Sequence, residues 1–356
     1  MTTRDLGALR TGRTTGACAA AAAKAAVMML TGAEPGPSVE IPLPGGGRMS
    51  VPVGRVAGKN NAAMVTKDAG DDPDVTNGAS IVTEVSWCDA DDILFEAGEG
   101  VGVVTKKGLS IPPPEPAINP GPRKMIRDAV REVTSKPVRV IISIPGGEEL
   151  ARRTFNPRLG ITGGLSILGT TGIVRPYSHS AIRETLKCAM DVCLAGGVNR
   201  PVLAAGNIGA KAASALFRIN PGDVIEVGNE WGFLLKNLSR HEIEGALIIG
   251  HPGKLAKLAM GEWDTHSSRS KSALPFVAAA AGELSIPPSE EPGTVEGFFN
   301  GLDDEQKKLL ARELSDRIRR SVLELITPKF WVDVALVNMA GELLGHGDGV
   351  LDRWRK

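Results

Sequence analysis

The stretch Pro201-Val-Leu-Ala-Ala-Gly206-Asn-Ile-Gly209-Ala210 decides the reading of the fold. A short apolar run leads through glycines into an alanine-rich segment, the grammar of a strand turning into a helix. Glycines at such a turn let backbone N–H groups and the helix N-terminus approach an anionic or nucleoside ligand. About twenty residues after Gly206 lies Glu226, near the end of the next apolar run. An acid there is where a dinucleotide-type βαβ unit hydrogen-bonds ribose hydroxyls. Gly206, Asn207, Gly209 and Glu226 are therefore the candidate cofactor residues. The glycine pattern is degenerate, and an ordinary βα turn with a solvent-facing Glu is the bland alternative.

The same grammar extends on both sides. Val138 to Ile144 is a nearly continuous apolar run, which predicts a strand buried on both faces. A helix from about Ser178 to Leu194 is followed by strand 201–205, helix 210–217, strand 223–227, helix 231–238 and strand 246–249. This alternation argues for a parallel, doubly wound sheet. A helix over 303–326 and a hairpin turning at Met339-Ala-Gly341 close the chain. Upstream the pattern differs. Thr14-Thr15-Gly16 and the alanines that follow predict a capped helix to about Leu30. Val39–Leu43 and Met49–Val53, separated by Pro44-Gly-Gly-Gly47, read as a hairpin. Ala79–Trp87 reads as a strand and Pro122 opens an amphipathic helix. Proline-rich breaks fall at 111–116 and 286–292. The expected fold is therefore α/β and α+β: an N-terminal α+β domain over 1–135, then a Rossmann-like parallel-sheet domain over 136–356 with a C-terminal helix and hairpin.

Composition narrows the function. Lys plus Arg and Asp plus Glu both number 41, so no net charge favours nucleic acid or an anionic membrane as partner. Aromatics at 4% argue against base-stacking platforms, whereas 43 glycines favour tight turns and close backbone approach. Cys18, Cys88, Cys188 and Cys193 show no CxxC spacing and five scattered His add no metal pattern, so no metal site is expected. No apolar stretch reaches the roughly 18 residues of a membrane span. A small-molecule protein of the cytoplasm is the expectation, with monomer and homo-oligomer both open.

Further stretches gather chemistry. Gly160, Gly163, Gly164, Gly169 and Gly172 surround Ser166 and Thr170-Thr171, a loop suited to backbone contact with a ligand or, more plainly, a strained connection. Thr11-Gly-Arg-Thr-Thr-Gly16 gathers donors at a helix N-terminus but lacks the Gly-Lys-Ser/Thr of a Walker A loop. Asp264-Thr-His266 offers acid–base groups, although a lone His is more often structural. Asp68, Asp71, Asp72 and Asp74 do not follow EF-hand spacing and read as a solvated turn.

Several blocks occur in one order. They are Thr11-Gly-Arg-Thr-Thr-Gly-Ala-Cys18, Lys67-Asp-Ala-Gly-Asp-Asp-Pro-Asp-Val-Thr76, Gly98-Glu-Gly-Val-Gly-Val-Val-Thr-Lys106, Pro145-Gly-Gly-Glu-Glu-Leu150, Phe155-Asn-Pro-Arg-Leu-Gly-Ile161, Ser166-Ile-Leu-Gly-Thr-Thr-Gly-Ile-Val174 and Asp264-Thr-His266. Together they resemble the cobalt-precorrin-5B C-1 methyltransferases, the CbiD family of anaerobic cobalamin biosynthesis. The resemblance implies methyl transfer from S-adenosylmethionine to ring carbon C-1 of a cobalt-containing tetrapyrrole, giving cobalt-precorrin-6A. It implies a substrate with acetate and propionate arms, which calls for cationic and backbone donors. Arg13, Thr14, Thr15, Arg158, Thr170, Thr171 and Arg175 are the expected substrate contacts. His266 is the expected proton acceptor, with Asp264 fixing its tautomer or the orientation of the substrate ring. The alternatives are a nicotinamide-dependent oxidoreductase acting on a tetrapyrrole and a non-catalytic corrinoid-binding protein. S-adenosylmethionine carries no phosphates, so the degenerate glycine turn suits it better than it suits a dinucleotide.

Overall fold

The computed structural model describes residues 9–176, 178–287, 292–327 and 330–354. The chain divides into two compact units, Met1–His179 and Ser180–Lys356.

The first unit is organised by helix Thr15–Leu30, whose residues Ala17 to Ala23 and Ala25 to Val27 have no exposed surface. Alanine combines the highest helix propensity with the smallest side chain, so the helix axis can lie close to its neighbours. It packs against helix Pro120–Arg131 and against strands Ala62–Thr66 and Ser80–Trp87. At Gly16 a Cβ would stand 2.8 Å from Pro122 Cγ, so only glycine fits that crossing. Lys24 interrupts the alanines, and its ammonium reaches Glu132 Oε2 (2.5 Å) and the Glu40 carbonyl (2.7 Å). Arg48 completes the cluster with two 2.8 Å bonds to the Glu132 carboxylate.

The main sheet of this unit places Ala62–Thr66, Ser80–Trp87, Val138–Ser143 and Leu94–Ala97 side by side. Strand Val138–Ser143 runs antiparallel to Ser80–Trp87 and parallel to Leu94–Ala97, so it belongs here and not to the second unit. The division between units therefore falls at His179/Ser180, past the expected 135/136. The reason is visible along the strand. Val138, Val140 and Ile142 are buried while Arg139 is exposed, so its apolar run serves one buried face, not two. The hairpin Ser38–Pro42 with Arg48–Pro52 forms as its sequence predicts, pairing Val39 with Val51.

The second unit carries a five-stranded sheet, in the spatial order Val224–Glu226, Val202–Ala204, Gly245–Gly250, Trp331–Val337, Leu343–His346. Neighbours are parallel except the last pair. Alternate residues face opposite layers. Val202, Ala204, Leu247 and Ile249 pack with Ala212 and Phe217 of helix Asn207–Phe217. Leu203, Ile225 and Ile248 pack with helices Trp231–Leu238, Pro252–Ala259 and the long Asp304–Ile326. Burial on both faces explains the unbroken apolar strand Gly245–Gly250. Gly209 sits where a Cβ would lie 2.6 Å from the Ile249 carbonyl oxygen, so its part is close helix–strand packing.

The Glu132 cluster yields a pH prediction. Arg48 first, then Lys24, hold the Glu132 carboxyl down to about 2 from an ordinary 4.5. A lowered folded-state pKa stabilises above the unfolded value and is lost as pH falls from 4.5 towards 2. Glu132→Gln should cost about 1 kcal/mol near neutral pH and flatten the stability curve across that acid window, as read by urea denaturation at a series of pH values. Equal losses for both proteins on acidification would remove the cluster from the account.

Candidate functional site

Several blocks of the first unit meet through their backbones. The Leu165 amide donates to the Gly100 carbonyl (2.9 Å), the Gly102 amide to the Leu165 carbonyl (2.8 Å) and the Ile144 amide to the Glu99 carbonyl (2.7 Å). A Cβ on Gly164 or Gly147 would stand 2.1 or 2.3 Å from the Gly100 oxygen. Many of the glycines thus allow chain-to-chain contact inside the protein, with no ligand needed to explain them.

The N-terminus of the alanine helix is likewise satisfied from within. Thr14 Oγ1 accepts from the Ala17 amide (3.1 Å), and the Gly16 amide donates to the Leu168 carbonyl (3.0 Å). Thr15 Oγ1 donates to the Leu168 carbonyl (3.1 Å) and accepts from the Leu168 amide (2.9 Å). Thr14 and Thr15 are buried, and the Thr15 hydroxyl together with the Thr14 amide, which donates to the Gly172 carbonyl (3.0 Å), fixes the loop over 168–172. Arg13 lies on strand Gly12–Arg13, paired with Ile173–Val174, and its Nη2 stands 3.9 Å from Asp68 Oδ2. Its Nε is buried with no hydrogen-bond partner among the described residues. Thr170, Thr171, Arg175 and Arg158 are exposed, and the Arg158 guanidinium lies 5.9 Å from the Phe155 ring centre.

The acidic run is more than a solvated turn. Asp74 pairs with Lys67 Nζ at 2.5 Å, and Lys67 is buried. Burial would raise the Asp74 carboxyl, but Lys67 and the Thr76 donors outweigh it and hold the group low. Asp68 bonds Arg10 Nη1 (2.5 Å) and Asp71 accepts from the Arg10 amide (2.7 Å). Among the described residues no group of three or more His, Cys, Asp or Glu is arranged to hold a metal ion.

In the second unit, strand Val202–Ala204 leads into Gly206, whose φ of +80° favours glycine. No atom lies within 4 Å of where its Cβ would be, so the turn opens onto free space. Helix Asn207–Phe217 starts there, earlier than the sequence suggests, and the Asn207, Ile208 and Gly209 amides have no hydrogen-bond partner among the described residues. Glu226 ends the adjacent strand, level with Ala204. The chain leaves Val202–Ala204 for one side and returns on the other at Gly245–Gly250, which makes this the switch point of the sheet. A nucleoside with a polar amino-acid tail fits such a cradle: open backbone donors, a missing Cβ and an acid on the next strand. His251 stands at the end of Gly245–Gly250, a residue sequence reasoning passed over as one scattered His. Its Nδ1 accepts from the Gly253 amide (3.0 Å), and its Nε2 lies 2.8 Å from Glu296 Oε2. A His immediately before Pro-Gly at a helix start was the only available signal.

Asp264 and His266 come together differently from expectation. Asp264 Oδ1 accepts from the His266 backbone amide (3.1 Å), and Oδ2 pairs with Arg269 Nε (2.9 Å). The carboxylate therefore shapes the loop instead of fixing the imidazole. The ring Nδ1 meets the Ser268 hydroxyl (2.8 Å) and accepts from the Ser268 amide (3.3 Å). A neutral ring held this way carries its proton on Nε2 and presents a donor. The loop docks on the segment after Glu226, with the Thr265 amide donating to the Asn229 carbonyl (3.1 Å) and Asp264 bridging Glu230.

Residues 2–176 match the CbiD family model, and residues 264–348 match the model of the CbiD C-terminal domain. The cobalt-precorrin-5B C(1)-methyltransferase of Syntrophotalea carbinolica is 49% identical, covering 98% of this chain and 99% of that protein. The enzyme of the same name from Methanocaldococcus jannaschii is 40% identical, covering 94% and 95% respectively. A crystal structure of the cobalamin biosynthesis protein CbiD from Archaeoglobus fulgidus aligns at 32% identity over 73% of this chain and 83% of that one, with a TM-score of 0.41. This chain belongs to the CbiD family.

Burial pushes the Cys18 thiol up to about 11, against the opposing pull of Lys67 and Arg13. The thiolate is the reactive form. Native protein treated with iodoacetamide at mildly alkaline pH should be carboxamidomethylated at half-buried Cys88 and spared at Cys18, with both modified after denaturation. Mass spectrometry showing early labelling of Cys18 would contradict the burial of this helix.

Proposed function

We propose that the protein methylates C-1 of cobalt-precorrin-5B, using S-adenosylmethionine as the donor. The observation that carries this reading is full-length similarity to proteins of that name, 49% identical in one case, together with an open glycine turn at the switch point of a parallel sheet. The donor supplies an electrophilic methyl group on sulfonium sulfur. We further propose that the second unit is the Rossmann-like donor-binding domain. Gly206 clears the space, the Asn207, Ile208 and Gly209 amides face the polar part of the donor, and Glu226 meets its ribose hydroxyls.

Methyl transfer to carbon asks little covalent chemistry of a protein. Holding the reacting atoms in line supplies most of the acceleration. The exposed Thr170, Arg158 and Arg175 are proposed to hold the carboxylate arms of the tetrapyrrole, while Thr171 Oγ1 donates to the Ile173 carbonyl (3.1 Å) and shapes the loop. Arg13, Thr14 and Thr15 serve that surface indirectly, by fixing the loop that bears it. His266 is proposed to face the substrate through Nε2 as a hydrogen-bond donor, a role its bonded Nδ1 supports better than that of base. Asp264 positions it through the backbone.

Purified protein given cobalt-precorrin-5B and methyl-labelled S-adenosylmethionine should incorporate label at C-1. Glu226→Ala should raise the KM for the donor about tenfold, the effect of one lost charge-assisted hydrogen bond, with little change for the tetrapyrrole. Gly206→Val should do more, since a side chain there both fills the cradle and strains the backbone. Absence of transfer by the wild type would refute the assignment, and unchanged donor KM in both variants would move the donor elsewhere.

A further inference from the structure

Leu168 is 50% exposed, although its main chain is held on both sides. Its amide donates to Thr15 Oγ1 (2.9 Å), and its carbonyl accepts from the Gly16 amide (3.0 Å) and from Thr15 Oγ1 (3.1 Å). Before it, Ile167 is fully buried and its amide is bonded to the Ala117 carbonyl (2.8 Å). After it, Gly169 has a φ of +124°, and a Cβ there would come within 2.4 Å of Thr14 Cβ. The backbone therefore cannot rotate to hide the side chain. Single exposed leucines are ordinary on protein surfaces. This one differs in being clamped through the buried Thr15 hydroxyl and followed along the chain by exposed Thr170 and Arg175. Apolar surface on the same loop as hydroxyl and guanidinium groups suits a ligand with an apolar ring face and a carboxylate rim. It suits neither a nucleic acid backbone nor a small anion.

We propose that Leu168 is a specificity-determining contact for the tetrapyrrole, packing against the macrocycle while Thr170 and Arg175 meet its carboxylate arms. The assignment rests on the methyltransferase reading for the identity of the ligand. The clamp through Thr15 gives the loop its purpose: it fixes an apolar surface in place before the ligand arrives, so little ordering entropy is lost on binding.

The test uses the full chain and cobalt-precorrin-5B itself, with binding followed by the absorbance of the tetrapyrrole and turnover by labelled methyl. Leu168→Ser should weaken tetrapyrrole binding roughly five- to tenfold, from the loss of about half a leucine's apolar burial. Donor KM should stay within about twofold and the melting temperature should hold, because the side chain faces solvent and its backbone bonds remain. Leu168→Met should bind nearly as well as wild type. Leu168→Glu should bind worst, and its deficit should shrink as salt screens the repulsion from the substrate carboxylates. Unchanged tetrapyrrole affinity in the Ser and Glu variants overturns the proposal, as does an equal loss for Met and Ser. If the wild type binds the tetrapyrrole but transfers no methyl, the methyltransferase reading fails while the binding series still decides Leu168.

Discussion

The first unit depends on one constraint: the helix Thr15–Leu30 is buried on every side for most of its length. A buried helix of large residues would hold its neighbours apart, whereas alanine lets a second helix and a sheet approach together. The same economy of side chain recurs at the glycine blocks, where Gly100, Gly147 and Gly164 allow main chains to touch. Once the helix is seated, its N-terminus fixes the loop over 168–172 through the Thr14 amide and the Thr15 hydroxyl.

The second unit places its chemistry by topology. Parallel strands direct their carboxyl ends to one edge, and the reversal of strand order between Val202–Ala204 and Gly245–Gly250 puts the switch point of the sheet there. Gly206, Glu226 and His251 all lie at such ends, contributed by different strands. The Asp264-Thr-His266 loop docks beside the segment that follows Glu226, so this family block shares the edge with the glycine turn. Methyl transfer suits this plan, because alignment is what such an edge provides.

The parallel sheet was legible because its strands are buried on both faces and its helices are amphipathic, as in Ala246–Ile249 and the long helix Asp304–Ile326. The boundary between units was not. Val138–Ser143 carries Val, Ile and one Arg in an order that fits either a two-sided or a one-sided strand, and only pairing with Ser80–Trp87 decides. Among the candidate residues, Gly206 and Glu226 fall together because one βαβ unit of about twenty residues brings the ends of two parallel strands side by side, with Ala204 level with Glu226. Thr14 and Thr15 read as ligand donors in the sequence, which does not reveal that Leu168 occupies the Thr15 hydroxyl and the Ala17 amide that of Thr14. His251 was missed for the converse reason: its partner, Glu296, lies 45 positions away.

The central claim is that the donor binds at the carboxyl edge of the second unit's sheet and not in the glycine loops of the first. Hydrogen–deuterium exchange with and without S-adenosylmethionine tests this directly, because the Asn207, Ile208 and Gly209 amides have no hydrogen-bond partner among the described residues. The account predicts slowed exchange over about 206–210 and 226–230, with no change over 12–18 or 160–174. Protection confined to the first unit's loops would contradict it.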